Sequence, residues 1–565
     1  MKKLLLAVLC CIGALMLIAD DASATHLMGG NMTYEYLGLN SGTGLYDYRV
    51  TLKIYRLCDP GSSQLPVSTS IGAYQDNPGN PNLKQRVASA TLNLISQQSI
   101  VPPNAGASCS FAPNVCVEEG VYQTTVSVPA NTTGYYFIAD RCCRNNNIAN
   151  LSNPGATGQA YYAFAPAPTI ANNSPTFAVP PVPFICANDT VSILNQAIDV
   201  DGDSLSYAFV TPFAGISSSG SPSPTAPTTY TWPIPTVTYA TNFSSTQPFG
   251  LNSYATMDAT TGLGVYVSPN QGYYVVAVEI SEYRNGVLIG LSRLDIQIIV
   301  ITCPTNPAPV LASTQTSYTI QEGQTLCFNV GYTDPNGDSL FLTHTGDVFN
   351  STLVSPTATL SNASGDSTVS SQFCWTTSCN QGRTTPYQFS TSATDNGCPA
   401  KVTNTVYTIN VINTQKPTSM TGPDTLCLNA ATGVAYSVSS TSGYTYHWLV
   451  TNGTQVSGTN TASATVNFTS PGLATVSIVA LNPFGCPSDT LTKTVYIKPQ
   501  PTAVAGSDVS FCSGGSATLG TSSTTGYSYS WSPATNLSSA TSSNPTVTIN
   551  NTGTTPTSTT YILTT

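Results

Sequence analysis

The chain has 565 residues with 16 Lys+Arg against 26 Asp+Glu, a net charge of −10, and charged residues are 7% of the total. That length allows roughly three to five domains, and a hydrophobic fraction of 41% excludes wholesale disorder, which needs low hydrophobicity with high charge. No basic run follows Lys2-Lys3, which excludes a nucleic-acid binder, and the three histidines, His26, His344 and His447, lie too far apart to suggest a multi-histidine metal site.

The first 24 residues read as a secretory signal peptide. Lys2-Lys3 form a positive start, Leu4 to Ala19 an apolar core, and Ala22-Ser23-Ala24 a small-residue cleavage site. The apolar stretch is short for a membrane span, and no later stretch approaches the roughly 20 residues that a spanning helix needs. Export, with the mature chain secreted or at the cell surface, is the expectation.

From residue 25 onward, strand signals recur almost everywhere. Tyr46 to Tyr55, Tyr135 to Ile138 and Tyr273 to Val278 are β-branched and aromatic runs, and 43 Gly and 40 Pro punctuate the chain between such runs. Runs of that length and composition predict antiparallel sandwiches, and no window of helical periodicity competes with them. The predicted fold is all-β, a string of tandem antiparallel β-sandwiches. Two internal repeats divide it. Asp199-Val200-Asp201-Gly202-Asp203-Ser204-Leu205 returns as Asp334-Pro335-Asn336-Gly337-Asp338-Ser339-Leu340, and Gly443-Tyr444-Thr445-Tyr446-His447-Trp448 returns as Gly526-Tyr527-Ser528-Tyr529-Ser530-Trp531. With proline-rich joints at 304–309, 416–417 and 498–501, these predict domains at 25–170, 171–303, 304–415, 416–498 and 499–565, the last incomplete.

Sixteen cysteines less the two in the signal leave 16 − 2 = 14, which export would place in an oxidising compartment. Local spacing suggests Cys109 with Cys116, Cys327 with Cys374, Cys379 with Cys398, and Cys427 with Cys486. Cys142 and Cys143 would face opposite ways on a strand, so each is expected to find its own partner, Cys58 being one candidate. Cys512 repeats Cys427. Adding the Cys427-to-Cys486 spacing, 486 − 427 = 59, places its partner beyond Thr565, so the chain is expected to be a fragment of a longer protein.

The acidic repeats are the sharpest chemical feature. Calcium takes six to eight oxygen ligands, and alternating carboxylates on a glycine-containing loop supply several. Asp199, Asp201 and Asp203 form the first candidate set. Asp334, Asn336 and Asp338 form the second, with Asp395 within reach if it ends a neighbouring strand. The competing reading is an Asx-rich turn without metal. An EF-hand is excluded, because no glutamate stands at the twelfth loop position. For catalysis there is no HExxH or GxSxG, and Glu118-Glu119 would point to opposite faces of a strand. The chain reads as non-catalytic, with calcium the one cofactor it suggests.

Thr25 to Tyr34, Tyr55-Arg56-Leu57-Cys58, Arg141-Cys142-Cys143-Arg144-Asn145 and Glu282-Tyr283-Arg284-Asn285-Gly286 together resemble large secreted Bacteroidetes surface proteins of the gliding-motility-associated, PKD-domain-containing kind. Residues 417–498 look like a PKD-type module, and the acidic loops resemble those that cadherin-like modules use between domains. The resemblance implies Ig-, cadherin- and PKD-like modules in a cell-surface, adhesin-like protein commonly exported by the type IX route. It would meet an extracellular polysaccharide or surface ligand, or its own copies, by multivalent non-catalytic contact. The alternative is a structural subunit of an extracellular fibre or filament. Asp-Ser/Thr-apolar triplets look like that group's O-glycosylation motif, which marks Thr190, Thr425 and Thr490.

Overall fold

In the computed structural model, the described residues are 27–58, 64–100, 117–178, 184–218, 221 and 225–565. The signal segment, His26 and the expected Cys109–Cys116 bridge lie outside them. Two compact units divide the chain at Asn413/Thr414. Strands dominate both, and the only helices among the described residues are three single turns of 3-10 type.

The first unit opens with a closed sheet. In Leu45–Leu57, Tyr48, Val50, Leu52 and Ile54 alternate inward, as the two-residue period of a strand requires. Around the ring the order is Leu27–Asn40, Leu45–Leu57, Val117–Val128, Leu83–Ile100, Ser68–Asp76, Tyr135–Arg141, Gln159–Ala165 and Val287–Ile301. The last pairs back onto the first at Gly29↔Ile296, Gly30↔Asp295 and Asn31↔Leu294. Eight strands give an interior just wide enough for side chains to fill, and Tyr48, Leu52, Tyr122, Phe137 and Tyr161 fill it. Closure needs glycine: a Cβ on Gly29 would stand 1.9 Å from the Asp295 carbonyl oxygen, and one on Gly30 would stand 2.3 Å from that of Lys53.

Val287–Ile301 then runs on beyond the ring. It pairs with Gly272–Arg284, which pairs with Ser204–Val210, while Phe184–Cys186 lies parallel to its far end. Strands from both sides of residue 170 therefore share one sheet. The Cys186–Cys303 disulfide joins the two ends of this segment across 117 residues. Residues 304–413 form a sandwich of a three-stranded and a five-stranded sheet around Phe373, Trp375, Phe389 and Tyr407. Its edge strand Ser317–Gln321 runs parallel to the final strand Val402–Ile412, and Cys327 and Cys374, opposite each other on paired strands, are bonded.

The second unit starts with two four-stranded sheets around Trp448, Val476 and Ile497. A smaller module follows, built on Leu519, Trp531 and Val547. The Tyr-x-Trp repeat has one local structure in both. Trp448 Nε1 donates to the Thr461 carbonyl and Trp531 Nε1 to that of Ser542, at 2.9 Å each. The Tyr446 and Tyr529 hydroxyls accept the amides of Thr441 and Thr524.

Two cysteine expectations are corrected. Cys142 and Cys143 are bonded to each other. The strand ends at Arg141, so strand alternation does not separate them; Cys58 is bonded elsewhere. The Cys427–Cys486 bridge is absent: Cys427 is an exposed free thiol, whereas Cys486 is buried and bonded. Cys427 sits opposite Lys498, at the Gly472 end of the strand Gly472–Leu481, and Cys486 follows the other end. Ten residues at ~3.3 Å each put them roughly 30 Å apart. The spacing carried over to Cys512, itself an exposed free thiol, therefore predicts no bridge.

Under native, non-reducing conditions a maleimide should label Cys427 and Cys512 and spare Cys186, Cys303, Cys327 and Cys374, as read by peptide mass mapping. Labelling of Cys486 with protection of Cys427 would reverse the assignment. Closing loops of 117 and 47 residues is worth about 4–5 kcal/mol each on the chain-entropy model. The Cys186→Ala/Cys303→Ala variant should therefore lose several kcal/mol in denaturant unfolding.

Candidate metal centres

The two acidic repeats fold alike. In the first, Asp199 Oδ1 accepts the backbone amides of Asp201 and Asp203, both at 2.9 Å. In the second, Asp334 Oδ1 accepts those of Asn336 at 3.1 Å and Asp338 at 2.9 Å. Gly202 and Gly337 turn the loops at φ +79° and +89°, where a side chain would be strained. Each loop then leads into a strand that pairs with the penultimate strand of its module.

That pairing supplies a further carboxylate to each. Leu340 lies opposite Asp395, which brings Asp334, Asp338 and Asp395 within 4.8 Å of one another. Leu205, the repeat counterpart of Leu340, lies opposite Glu282, which joins Asp199, Asp201 and Asp203 in the same way. Glu282 and Asp395 thus hold one register position in two modules. The sequence reading included Asp395 and missed Glu282. The signal was available, since both precede an Asn-Gly turn at the end of a strand, Asn285-Gly286 and Asn396-Gly397.

Each cluster is also tied to the segment that precedes its module. The Asn173 backbone and side-chain amides donate to Asp201, and Asn172 Oδ1 accepts from Arg284. In the second, Asn306 Nδ2 donates to Asp395 Oδ2 at 3.0 Å, and Asn306 Oδ1 accepts from Asn336 at 3.2 Å. The spacings agree to within one residue: 306 − 172 = 134 for the asparagines and 334 − 199 = 135 for the first aspartates.

Their electrostatics differ. Arg284 forks onto Asp203 at 2.8 and 2.5 Å and lies 3.8 Å from Asp201, so one cation faces four carboxylates. Around Asp334, Asp338 and Asp395 no Lys or Arg of the described residues is within ion-pair distance. Both clusters hold carboxylate oxygens that are buried without a hydrogen-bond partner: Asp199 Oδ2 and both Glu282 oxygens in the first, Asp334 Oδ2 in the second. Burial, and then the Asp199 and Asp203 charges, push Glu282 up to about 9; burial likewise raises Asp199, to about 6, and Asp395. Buried, unpaired carboxylates are costly, and a divalent cation is the partner whose chemistry matches a set of hard oxygens.

The remaining sequence candidates fall apart from these clusters. Thr190, Thr425 and Thr490 are exposed, the first in the first unit and the other two on the PKD-like module of the second. Glu118 pairs with Arg56 and Glu119 with Lys53, on the two faces of one strand.

A family model described as a PKD-like domain matches residues 413–495. No curated protein matches the chain in sequence. Among solved structures, the chain is similar to the EC1-4 fragment of Drosophila N-cadherin, with 12% identity, 78% of this chain and 94% of that one covered, and a TM-score of 0.20. It is similar to a three-Ig-domain titin fragment at 9% identity, with coverages of 58% and 99% and a TM-score of 0.17. It is also similar to cadherin-like domains 1 to 4 of zebrafish RET at 11% identity, 59% and 72% coverage and a TM-score of 0.20. Those likenesses carry no argument about what the chain does. No helix among the described residues is long and apolar enough to cross a membrane.

Glu282 sets a pH test. In chelator, the unfolded carboxyl ionises near its ordinary value of about 4.3, while the folded one stays protonated up to about 9. Between those values the native state binds more protons, so stability falls as pH rises. Glu282→Gln should flatten that fall in the melting temperature of the first unit. Parallel wild-type and variant curves from pH 5 to 9 would contradict it.

Proposed function

We propose that this chain is a secreted, non-catalytic scaffold of tandem β modules that makes multivalent contact with an extracellular surface or matrix ligand, stiffened at its module joints by calcium. The observation that carries the reading is the paired placement of the acidic clusters. Each gathers buried, unpartnered carboxylate oxygens beside the joint that enters its module, and each is already linked to that joint through an asparagine. Asp334, Asp338 and Asp395 with the Asn306 and Asn336 amides would hold one ion; Asp199, Asp201, Asp203 and Glu282 would hold the other. The ion would supply the charge that the carboxylates lack, locking loop, strand and joint together. The second cluster is the better fit, because Arg284 already offsets part of the charge at the first.

The PKD-like match, the disulfides and the signal-like start support an extracellular setting. Exposed Thr190, Thr425 and Thr490 are the positions where glycans would be carried. With each module contributing a weak contact, tandem display raises the effective concentration at a surface without one tight site.

Calcium at a concentration ~100-fold above its Kd should stabilise the first unit by about 2.7 kcal/mol per site, read as a rise in melting temperature that chelator reverses. The Glu282→Gln/Asp395→Asn double variant should lose the rise. Beads coated with the full chain should adhere to a polysaccharide-bearing surface more strongly with calcium. Identical melting curves with calcium and with chelator would remove the ion from the proposal, and beads that fail to adhere would remove the adhesive role.

A further inference from the structure

Within the first unit, a cleft of about 270 Å3 opens between the second and third modules. One wall is the first acidic loop and the start of its strand, with Asp203 and Ser204. The other is the segment Arg383 to Pro386 with Asp347. Hydrogen bonds crossing the joint hold the walls. Ser204 Oγ meets Thr385 Oγ1 at 2.8 Å, Gln388 Nε2 donates to the Thr260 carbonyl at 3.2 Å, and Gln196 is held by Gln388 and Ser390. Beside them, Lys401 pairs with Asp189 and Asn404 Nδ2 donates to the Ser192 carbonyl. The cleft is preformed, which lowers the ordering cost of binding.

Its charge decides the class of ligand. Asp203 is paired with Arg284 and Asp347 with Arg383. Asp199, which also lines the cleft, is buried with its Oδ1 on the loop amides and its Oδ2 closed to solvent. The lining therefore presents no unpaired cation to an anionic ligand. What faces the opening is polar. The Ser204 and Thr385 hydroxyls have lone pairs to spare beyond their mutual bond, Thr384 is exposed on the rim, and the Asp203 oxygens can accept further bonds. Arg383 is held flat over the Tyr387 ring at 3.5 Å, with Nε and Nη2 bonded to carbonyls and Asp347. Its Nη1 has no hydrogen bond among the described residues and lies beside Gly202, where a Cβ would stand 3.7 Å from it. A fixed donor across from carboxylate and hydroxyl acceptors matches the adjacent hydroxyls of a sugar ring, each of which donates and accepts. The volume lies just under the ~300–1,000 Å3 of typical ligand sites and suits one ring rather than an oligosaccharide. We propose that this intermodule cleft is a subsite for a neutral, polyhydroxylated ligand, a single uncharged hexose unit of a surface polysaccharide. It rests on the scaffold reading only for where such a polymer would be met.

The test uses the full chain with a panel of neutral methyl hexosides, read by saturation-transfer NMR and calorimetry. Binding with a Kd on the order of 1 mM is expected for at least one sugar. Arg383→Met should weaken it at least tenfold, Ser204→Ala severalfold, and Thr384→Trp, which plugs the rim from an exposed position, should abolish it with the melting temperature unchanged. No hexoside bound by the wild type, wild-type affinity in Thr384→Trp, or preference for a neutral peptide probe would each overturn the proposal. Bead adhesion measured in parallel separates the two readings. Adhesion without hexoside binding sinks the cleft alone, and hexoside binding without adhesion sinks the scaffold alone.

Discussion

One strand, Val287–Ile301, carries the architecture of the first unit. Gly272–Arg284 pairs with it along nearly its whole length, while Gln159–Ala165 meets it at Leu291 and Ser292. Gly29 and Gly30 close the ring against Ile296 and Asp295, and Phe184–Cys186 lies beside the strand's end. Asp295 sits at the crossover and is held by a buried fork from Arg144 at 2.8 and 2.5 Å. Arg144 Nε donates to the Gly158 carbonyl and Nη2 to that of Phe213, so one guanidinium ties the crossover to the ring and to the next module. Removing one partner of such a pair typically costs about 3–5 kcal/mol, because the other is left buried and uncompensated. The close approach at Gly29 and Gly30 leaves no room for a side chain, which makes the glycine pair and the ion pair parts of one constraint.

Scarcity of charge gives the remaining charges their meaning. With 7% charged residues, ordinary surface solvation falls to hydroxyls and amides, as in the Thr451–Thr475 and Ser477–Thr492 pairs on the PKD-like module. Surface ion pairs such as Arg49 with Glu35 contribute little. The consequential charges lie at crossings: Arg144 with Asp295 at the shared strand, Lys401 with Asp189 between modules, and the carboxylate clusters at the joints. A chain that uses charge so sparingly and yet gathers four carboxylates around one arginine has placed them for something other than solubility.

The strand content, the module repeats and both acidic loops were legible in the sequence, because period-2 alternation and Asx-Gly turns are local signals. The Trp448 and Trp531 cores followed from their repeat. Pairing across distance was not legible. Cys427 and Cys486 look like partners in spacing, but a parallel edge strand puts one at each end of a sheet. Glu282 stands three residues before its Asn-Gly turn and Asp395 directly before its own, so the shared signal is offset in sequence and the register confirms that the two hold one position. Ring closure was equally hidden, since it depends on Gly29-Gly30 meeting a strand more than 250 residues away.

The register identity of Glu282 and Asp395 bears on what the two modules share. A cluster that arose only from turn chemistry would need its Asx residues and glycine and nothing from the strand opposite, because Asp199 Oδ1 and Asp334 Oδ1 already satisfy the loop amides alone. Yet both modules place a carboxylate on that strand, buried and pointing at the loop, at a cost in desolvation that the turn does not require. Both also bring an asparagine from the preceding joint. A turn explains the first layer of each cluster, and the second and third are the groups that the proposed ion would use to join loop, strand and joint.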